Sequence, residues 1–352
     1  MSSAELDTLR QEIGEQPAVV GRLLVDQRSA VDAVARAIRQ RQPSAVVFVA
    51  RGSSDNAAVY GRYLLEVCNR QLTSLAAPSG LTLYGRGPRL AQTVVIGISQ
   101  SGQGEDVVAY LREARAQGGV TVAIVNDEGS PLALAAEWVL ACLAGPEVSV
   151  PATKTVTAQM TLLAMLSAAL DDPQATGMLL DGLPVALEAA LRQGDAARAL
   201  AGVLAPTTIG SVIGRGFAFP PALEIALKLK ETSYTAAEPF SAADFLHGPV
   251  ALVDADFSAL VIDVGGQSSE AAVGIARAVG ERGGRAALLQ AGQVSGVEAT
   301  DYPSLTLRAA LGEPVAPIAA LVLGQLLAVE LAVARGLDPA RPRGLRKVTS
   351  TR

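Results

Sequence analysis

With 352 residues, half of them hydrophobic, the chain is too long for one small core and suits two domains of ordinary size. Aromatic residues make up only 4%, so aliphatic cores are expected, and a net charge of −5 with no basic block beyond Arg341 to Arg352 argues against a nucleic-acid surface. One histidine, His247, and two cysteines, Cys68 and Cys142, give neither metal-ligand spacing nor a disulfide scaffold, so no structural metal and no cofactor is expected.

In chain order, Met1 to Asp7 has neither the basic nor the apolar region of a leader, and no uninterrupted apolar run approaches a membrane span. A soluble, cytoplasmic protein without a membrane partner is the expectation. Residues 1–42 read as helices, with Glu12 to Pro17 between them and Leu23, Leu24, Val31, Val34 and Ile38 at helical apolar spacing. From Ala45 the pattern changes. Strands are predicted at Val46 to Ala50, Leu72 to Ala76, Val94 to Ile98, Val120 to Val125 and Trp138 to Cys142, with helices at Asn56 to Cys68, Glu105 to Gln117 and Thr155 to Leu170. Buried strands with helical crossovers imply α/β architecture: a doubly wound parallel sheet.

A second unit is predicted after the small-residue stretch Asp171 to Thr176 and a bridging helix, Pro184 to Leu204. Its strands are Thr208 to Ile213, Ala259 to Asp263, Arg285 to Leu289 and Ser304 to Leu307; its helices are Pro221 to Glu231, Glu270 to Gly280 and Pro317 to Arg335. The strand followed by Arg51-Gly52 is echoed by one followed by Gly214, Arg215 and Gly216, which reads as a weak internal duplication. The expected division is 1–42, 43–183, 184–335 and a tail, 336–352.

Ligands in such sheets bind beyond the carboxyl ends of the strands. Three polar loops fall there. Ser99, Gln100 and Ser101 lie between a strand and a helix, where hydroxyls, flexible glycines and exposed N–H groups suit a phosphate, although an ordinary helix N-cap explains the same residues. Ser53 and Ser54 repeat that chemistry, with the same alternative, and Gly145 to Thr155 forms the third loop. In the helix Pro221 to Glu231, Glu224, Lys228 and Glu231 stand at i, i+4 and i+7 and share a face, while Lys230 points elsewhere. The stripe could line a cleft, with Glu231 as a base and Lys228 holding an oxyanion, but spacing alone favours a solvated ion pair. His247 in isolation reads best as a hydrogen-bonded core or turn histidine, and Lys347 fits a solvated basic tail.

Together these segments resemble the isomerase half of glucosamine-6-phosphate synthase and relatives with tandem sugar-isomerase (SIS) domains. The resemblance runs from Glu12 to Pro17 through Arg51-Gly-Ser-Ser54, Ile98 to Gly102, Ala152-Thr-Lys154, Ala222 to Glu231 and Leu246 to Pro249, and ends in Gly336 to Thr349. Ser2 stands where the synthase has its glutaminase cysteine, so glutamine is not expected to be the ammonia source. Details such as Val125-Asn-Asp127 and Ala144 to Glu147 are more similar to the stand-alone SIS-type glucosamine-6-phosphate deaminases.

The resemblance implies two tandem flavodoxin-like SIS domains acting on a phosphosugar. Ser54, Ser99, Gln100, Ser101 and Thr153, with Ser53 nearby and the main chain of Val150, would hold phosphate and sugar hydroxyls. Glu231 would be the enolisation base, Lys228 would steady or protonate oxygen, and Glu224 matches an acidic residue of the same helix. His247 would open the sugar ring and reach a neighbouring subunit's site, which implies a homodimer. Lys347 matches the lysine that forms an imine with fructose 6-phosphate. Gly104 and Ala236 depart from the family's hydroxyl and histidine. The leading expectation is deamination of glucosamine 6-phosphate to fructose 6-phosphate and ammonia. The alternatives are amination of fructose 6-phosphate, a related reaction on another amino-sugar or fructosamine phosphate, and a phosphosugar sensor without catalysis.

Overall fold

A computed structural model of the protein describes residues 3–171, 178–294 and 302–347. The predicted connector 172–176 and the tail beyond Lys347 lie outside the described residues. The chain divides into two compact units. One, here the amino-terminal unit, comprises Ala18–Glu147, Lys154–Met178 and Arg346–Arg352; the other, the carboxy-terminal unit, comprises Met1–Pro17, Val148–Thr153 and Leu179–Leu345.

The amino-terminal unit is built on five parallel strands, β1 (Ala45–Val49), β2 (Thr73–Leu75), β3 (Thr93–Ser99), β4 (Val120–Val125) and β5 (Trp138–Ala141), in the order β2-β1-β3-β4-β5. All six residues of β4 are buried, as expected for a central strand covered on both faces. On one face Val47, Val95 and Val125 pack with Val107, Leu111 and Leu132 from the helices. The carboxy-terminal unit repeats the plan with β6 (Ile209–Gly214), β7 (Ala236–Ser241), β8 (Ser258–Asp263), β9 (Arg285–Gly292) and β10 (Ser304–Arg308), ordered β10-β9-β8-β6-β7. Counted from the first strand of each unit, both sheets run 2-1-3-4-5 and both are parallel. The expected pair of doubly wound α/β sheets is what forms. The echo of Arg51-Gly52 in Arg215-Gly216 is also a backbone echo: both glycines adopt φ +58°, where a Cβ would be strained.

Four expectations need correction. Strand β7 was not predicted, because Ala236–Ser241 holds Pro239 and reads as a loop; it is an edge strand, the one place where a missing N–H is tolerated in a sheet. The bridging helix is two, Leu183–Leu191 and Gly194–Leu204, broken at Arg192 and Gln193 before the weak helix former Gly194. Glu12 to Pro17 is no inter-helix segment. Only Glu15 separates Ser3–Gly14 from Gln16–Asp26, because Pro17 fits a first turn and Gln16 Nε2 donates to the Ile13 carbonyl at 2.9 Å. Finally, the helix after β1 begins at Ser53, so both serines lie in its first turn.

Among the described residues one helix, Ala316–Ala334, is apolar and long enough to cross a membrane by length and composition, with a mean hydropathy of 2.0, and 89% of that window is buried inside the protein. Its polar residues are partnered within the carboxy-terminal unit. Gln325 accepts from Gln16 at 2.8 Å, and Glu330 pairs with Arg10 at 3.0 Å and Arg198 at 3.1 Å. A core helix that carries internally satisfied polar groups accounts for the composition.

Candidate active site

In the amino-terminal unit the carboxyl ends of β1, β3 and β5 carry the predicted loops. The helices that follow β1 and β3, Ser53–Val67 and Glu105–Ala116, have Gly52 and Gly104 as their N-cap residues, and neither has a side-chain cap. The serines therefore do not play the ordinary capping role. Ser99 Oγ accepts from Gly102 N at 3.0 Å and Ser101 Oγ accepts from Gln103 N at 3.3 Å, so both hydroxyls shape the loop itself. Gly102 has φ +63°, and a Cβ there would run into the Ser130 hydroxyl, so the turn requires glycine. Ser99, Gln100, Ser101 and Ser53 are half-buried, whereas Ser54 is buried and accepts from Gln159 Nε2 at 3.1 Å.

Partners that sequence reasoning did not single out hold these loops. Arg51 reaches across to the buried carboxylate of Asp106, with Nη2 at 2.6 Å and Nε at 2.8 Å from Oδ2, and so ties the loop after β1 to the helix after β3. Asn126 donates to the Gly145 carbonyl at 2.8 Å and accepts from Ala144 N at 3.0 Å, which fixes the loop after β5. Glu147, with its side chain fully buried, accepts from Thr155 N at 3.1 Å, Thr155 Oγ1 at 2.8 Å and Lys347 Nζ at 2.8 Å. Lys347 is thus not a solvated tail residue. The only advance signal was that Asn126 and Glu147 fell within family-like segments.

The equivalent loop of the carboxy-terminal unit, after β8, is filled from within. Glu313 accepts from Gln267 N at 3.1 Å and from Ser268 Oγ at 3.2 Å, and a Cβ on Gly266 (φ +71°) would meet its carboxylate. A side-chain anion therefore occupies the donors of that loop.

The carboxy-terminal unit instead carries the charge cluster. In the helix Phe219–Ser233, Lys228 Nζ lies 2.5 Å from Glu231 Oε2 and 3.4 Å from Glu224 Oε1. The three do share a face, but the solvated-pair reading is overturned, because side-chain exposure is 1% for Glu224, 3% for Lys228 and 19% for Glu231. The apolar helix Ala316–Ala334 packs on this helix, and of the three side chains Glu231 keeps the most exposure. Lys230, off the face, pairs with the exposed Glu238 at 3.6 Å. Burial by itself pulls the Lys228 pKa down, but Glu224 and Glu231 outweigh it and hold the ammonium above its ordinary value. Lys228 is therefore a fixed cation at neutral pH. Of the two carboxylates, Glu231 is the one that keeps exposed surface, and Glu224 is a buried counter-charge.

His247 is exposed, at the carboxyl end of the short helix Ala242–Leu246, where its backbone N–H donates to Ala243 O and Asp244 O. It is a turn histidine, not a core one. Thr153 and Val150 belong to the same unit; Thr153 is buried and its carbonyl accepts from Gln325 Nε2 at 3.3 Å. Glu12 accepts from the backbone N–H groups of Val148 and Ser149 and so fixes the start of that segment. Both cysteines are free; burial pushes the Cys68 thiol up to about 11 and raises that of Cys142 as well, so neither supplies a thiolate nucleophile at neutral pH.

Two parallel 2-1-3-4-5 sheets, one with a hydroxyl-rich loop after its third strand and the other with a carboxylate–ammonium helix, define a tandem sugar-isomerase architecture. The SIS domain profile matches residues 41–169 and 211–335, and the chain belongs to the SIS domain family. It is 34% identical to the glutamine–fructose-6-phosphate aminotransferases (isomerizing) of Methanothermobacter thermautotrophicus and Thermococcus kodakarensis, over 346 and 350 residues. Those matches take in 96% of this chain but 56% and 57% of the relatives, so the chain spans a little over half their length. The C-terminal domain of glucosamine-fructose-6-phosphate aminotransferase from Francisella tularensis superposes with a TM-score of 0.83 at 26% identity, covering 95% of this chain and 98% of that one. Tagatose-6-phosphate ketose/aldose isomerase from Escherichia coli, at 17% identity and a TM-score of 0.77 over 93% and 92% of the two chains, shares the fold.

Proposed function

We propose that the protein is an aminosugar-phosphate isomerase and deaminase that converts glucosamine 6-phosphate and water to fructose 6-phosphate and ammonia. The observation that carries the reading is the Glu224–Lys228–Glu231 cluster, in which a fixed cation sits beside a partly open carboxylate. Glu231 takes the proton from carbon 2 of the open-chain sugar and returns it to carbon 1. Lys228 offsets the negative charge that develops on the carbon 1 oxygen. The product is the ketimine, to which water adds at carbon 2 as ammonia leaves. His247 opens the pyranose ring, and its exposed place at the end of a short helix suits supply to a neighbouring subunit in a homodimer. Ser53, Ser54, Ser99, Gln100 and Ser101, with Thr153 and the main chain of Val150, hold phosphate and hydroxyls.

The names of the relatives favour a second reading, in which the same steps run from fructose 6-phosphate towards the amino sugar. Incubation with glucosamine 6-phosphate, following ammonia and fructose 6-phosphate together, tests the first; fructose 6-phosphate with ammonium, following glucosamine 6-phosphate, tests the second. Glu231→Gln should abolish both, by about 10²-fold or more. Turnover that survives in Glu231→Gln would overturn the mechanism. Phosphosugar binding without turnover of any amino-sugar phosphate would leave a sensor.

A further inference from the structure

Lys347 stands at the end of the described chain, yet its side chain is only 22% exposed, and Nζ donates at 2.8 Å to Glu147 Oε2. The acceptor is immobile. Its carboxylate has no exposed surface, and Thr155 holds both oxygens, the backbone N–H at 3.1 Å on Oε1 and the hydroxyl at 2.8 Å on Oε2. Thr155 lies in the first turn of the helix Lys154–Leu170, so Glu147 also meets the positive end of that helix. A lysine on the surface samples many rotamers, and its ion pairs contribute little. Here one end of the pair is fixed by a helix and two further hydrogen bonds, so the amine is confined near one point.

We propose that Glu147 is the positioning residue for Lys347, holding its amine where it forms an imine with a ketose phosphate. This rests on the function proposed above, whose sugar product is such a ketose. In the step, Nζ adds to the carbon 2 carbonyl, a C–N bond forms and the carbonyl oxygen leaves as water. Ammonium plus ketone gives protonated imine plus water, with no change of oxidation state.

Capping of Lys154–Leu170 would explain the Thr155 contacts but not the capture of Lys347. Glu147→Gln separates the two, because the amide keeps an oxygen for Thr155 and loses the charge that holds the ammonium. The full-length wild type, Glu147→Gln and Glu147→Asp are each incubated with fructose 6-phosphate and cyanoborohydride, and reduced adduct on Lys347 is quantified by peptide mass spectrometry. In parallel, without sugar, Lys347 is acetylated with limiting acetic anhydride.

The expected result is a split in opposite directions. Glu147→Gln lowers the sugar adduct by about tenfold or more, because the amine is no longer placed. It raises acetylation by roughly threefold, because the amine is no longer held against the Glu147 carboxylate and meets the reagent more freely. Glu147→Asp restores part of the adduct, and the melting temperature of Glu147→Gln stays within a few degrees of wild type. Equal adduct in wild type and Glu147→Gln would overturn the proposal while leaving the sugar chemistry standing. Adduct and acetylation falling together with the melting temperature would reduce Glu147 to a structural cap and also overturn it. Absence of adduct in the wild type with any ketose phosphate would overturn the proposal, and the ammonia and fructose 6-phosphate assays above decide the functional reading separately.

Discussion

Lys228 and Glu231 sit 2.5 Å apart in one helix, yet the ammonium is buried and the carboxylate keeps 19% of its side chain exposed. The asymmetry gives one partner a fixed charge and the other access to solvent. Lys228→Met strands the buried Glu224 without a counter-charge, and a loss of about 3–5 kcal/mol is expected in urea denaturation. Most of it should return in Glu224→Gln/Lys228→Met. The pH dependence follows from the raised Lys228 pKa. The folded state binds that proton more tightly than the unfolded chain, so the contribution is complete below the ordinary value of 10.5 and is lost as pH rises through the raised folded value. The stability difference between wild type and Lys228→Met should be flat from about pH 7 to about 9 and shrink above the ordinary lysine range.

His247→Ala should separate catalysis from stability. The side chain is exposed just past a five-residue helix, so the melting temperature should stay within about a degree of wild type. Turnover of glucosamine 6-phosphate should fall by about 10²-fold or more if the ring must be opened by this residue. Calorimetry and an ammonia assay on the same preparation check both halves.

Gly104 offers a gain. Its backbone is ordinary (φ −62°), and an added Cβ would make normal contacts, 3.5 Å to Asp106 Oδ1 and 3.6 Å to Val107 Cγ2. Gly104→Ser therefore fits without strain and supplies the missing cap for Glu105–Ala116. A stabilisation of about 0.5–1 kcal/mol is expected, because the less flexible unfolded chain adds to the cap. Tighter inhibition by inorganic phosphate would show that the new hydroxyl also reaches the ligand.

Gly324 should tolerate nothing larger. A Cβ there would overlap Cγ1 and Cδ1 of Ile225, the neighbour of Glu224 in the helix Phe219–Ser233. Gly324→Ala is expected to cost about 1–3 kcal/mol and to lower kcat as the charge-bearing helix shifts. Adding Ile225→Val should recover part of the loss, read by denaturation midpoints.

Much of this was legible because two periodicities are strong. Val94 to Ile98 and Val120 to Val125 are buried strands whose apolar runs need no context, and Glu224, Lys228 and Glu231 share a helical face by arithmetic. Strand β7 was not legible: Pro239 argues against a strand until the sheet shows that Ala236–Ser241 lies at its edge. The hydroxyls of Ser99 and Ser101 could equally have been caps, and only the loop hydrogen bonds removed that alternative.

By itself the sequence determined the α/β class, the duplicated plan and the residue types at the strand ends, since alternation, glycine conformation and helical spacing are local properties. Tertiary structure decided which charges are buried. Lys228 and Lys347 look like ordinary surface lysines in the chain, and they depart from that reading because Glu224 and Glu147 are desolvated by residues far away in sequence. Desolvation depends on everything that packs around a group, so no spacing rule reveals it.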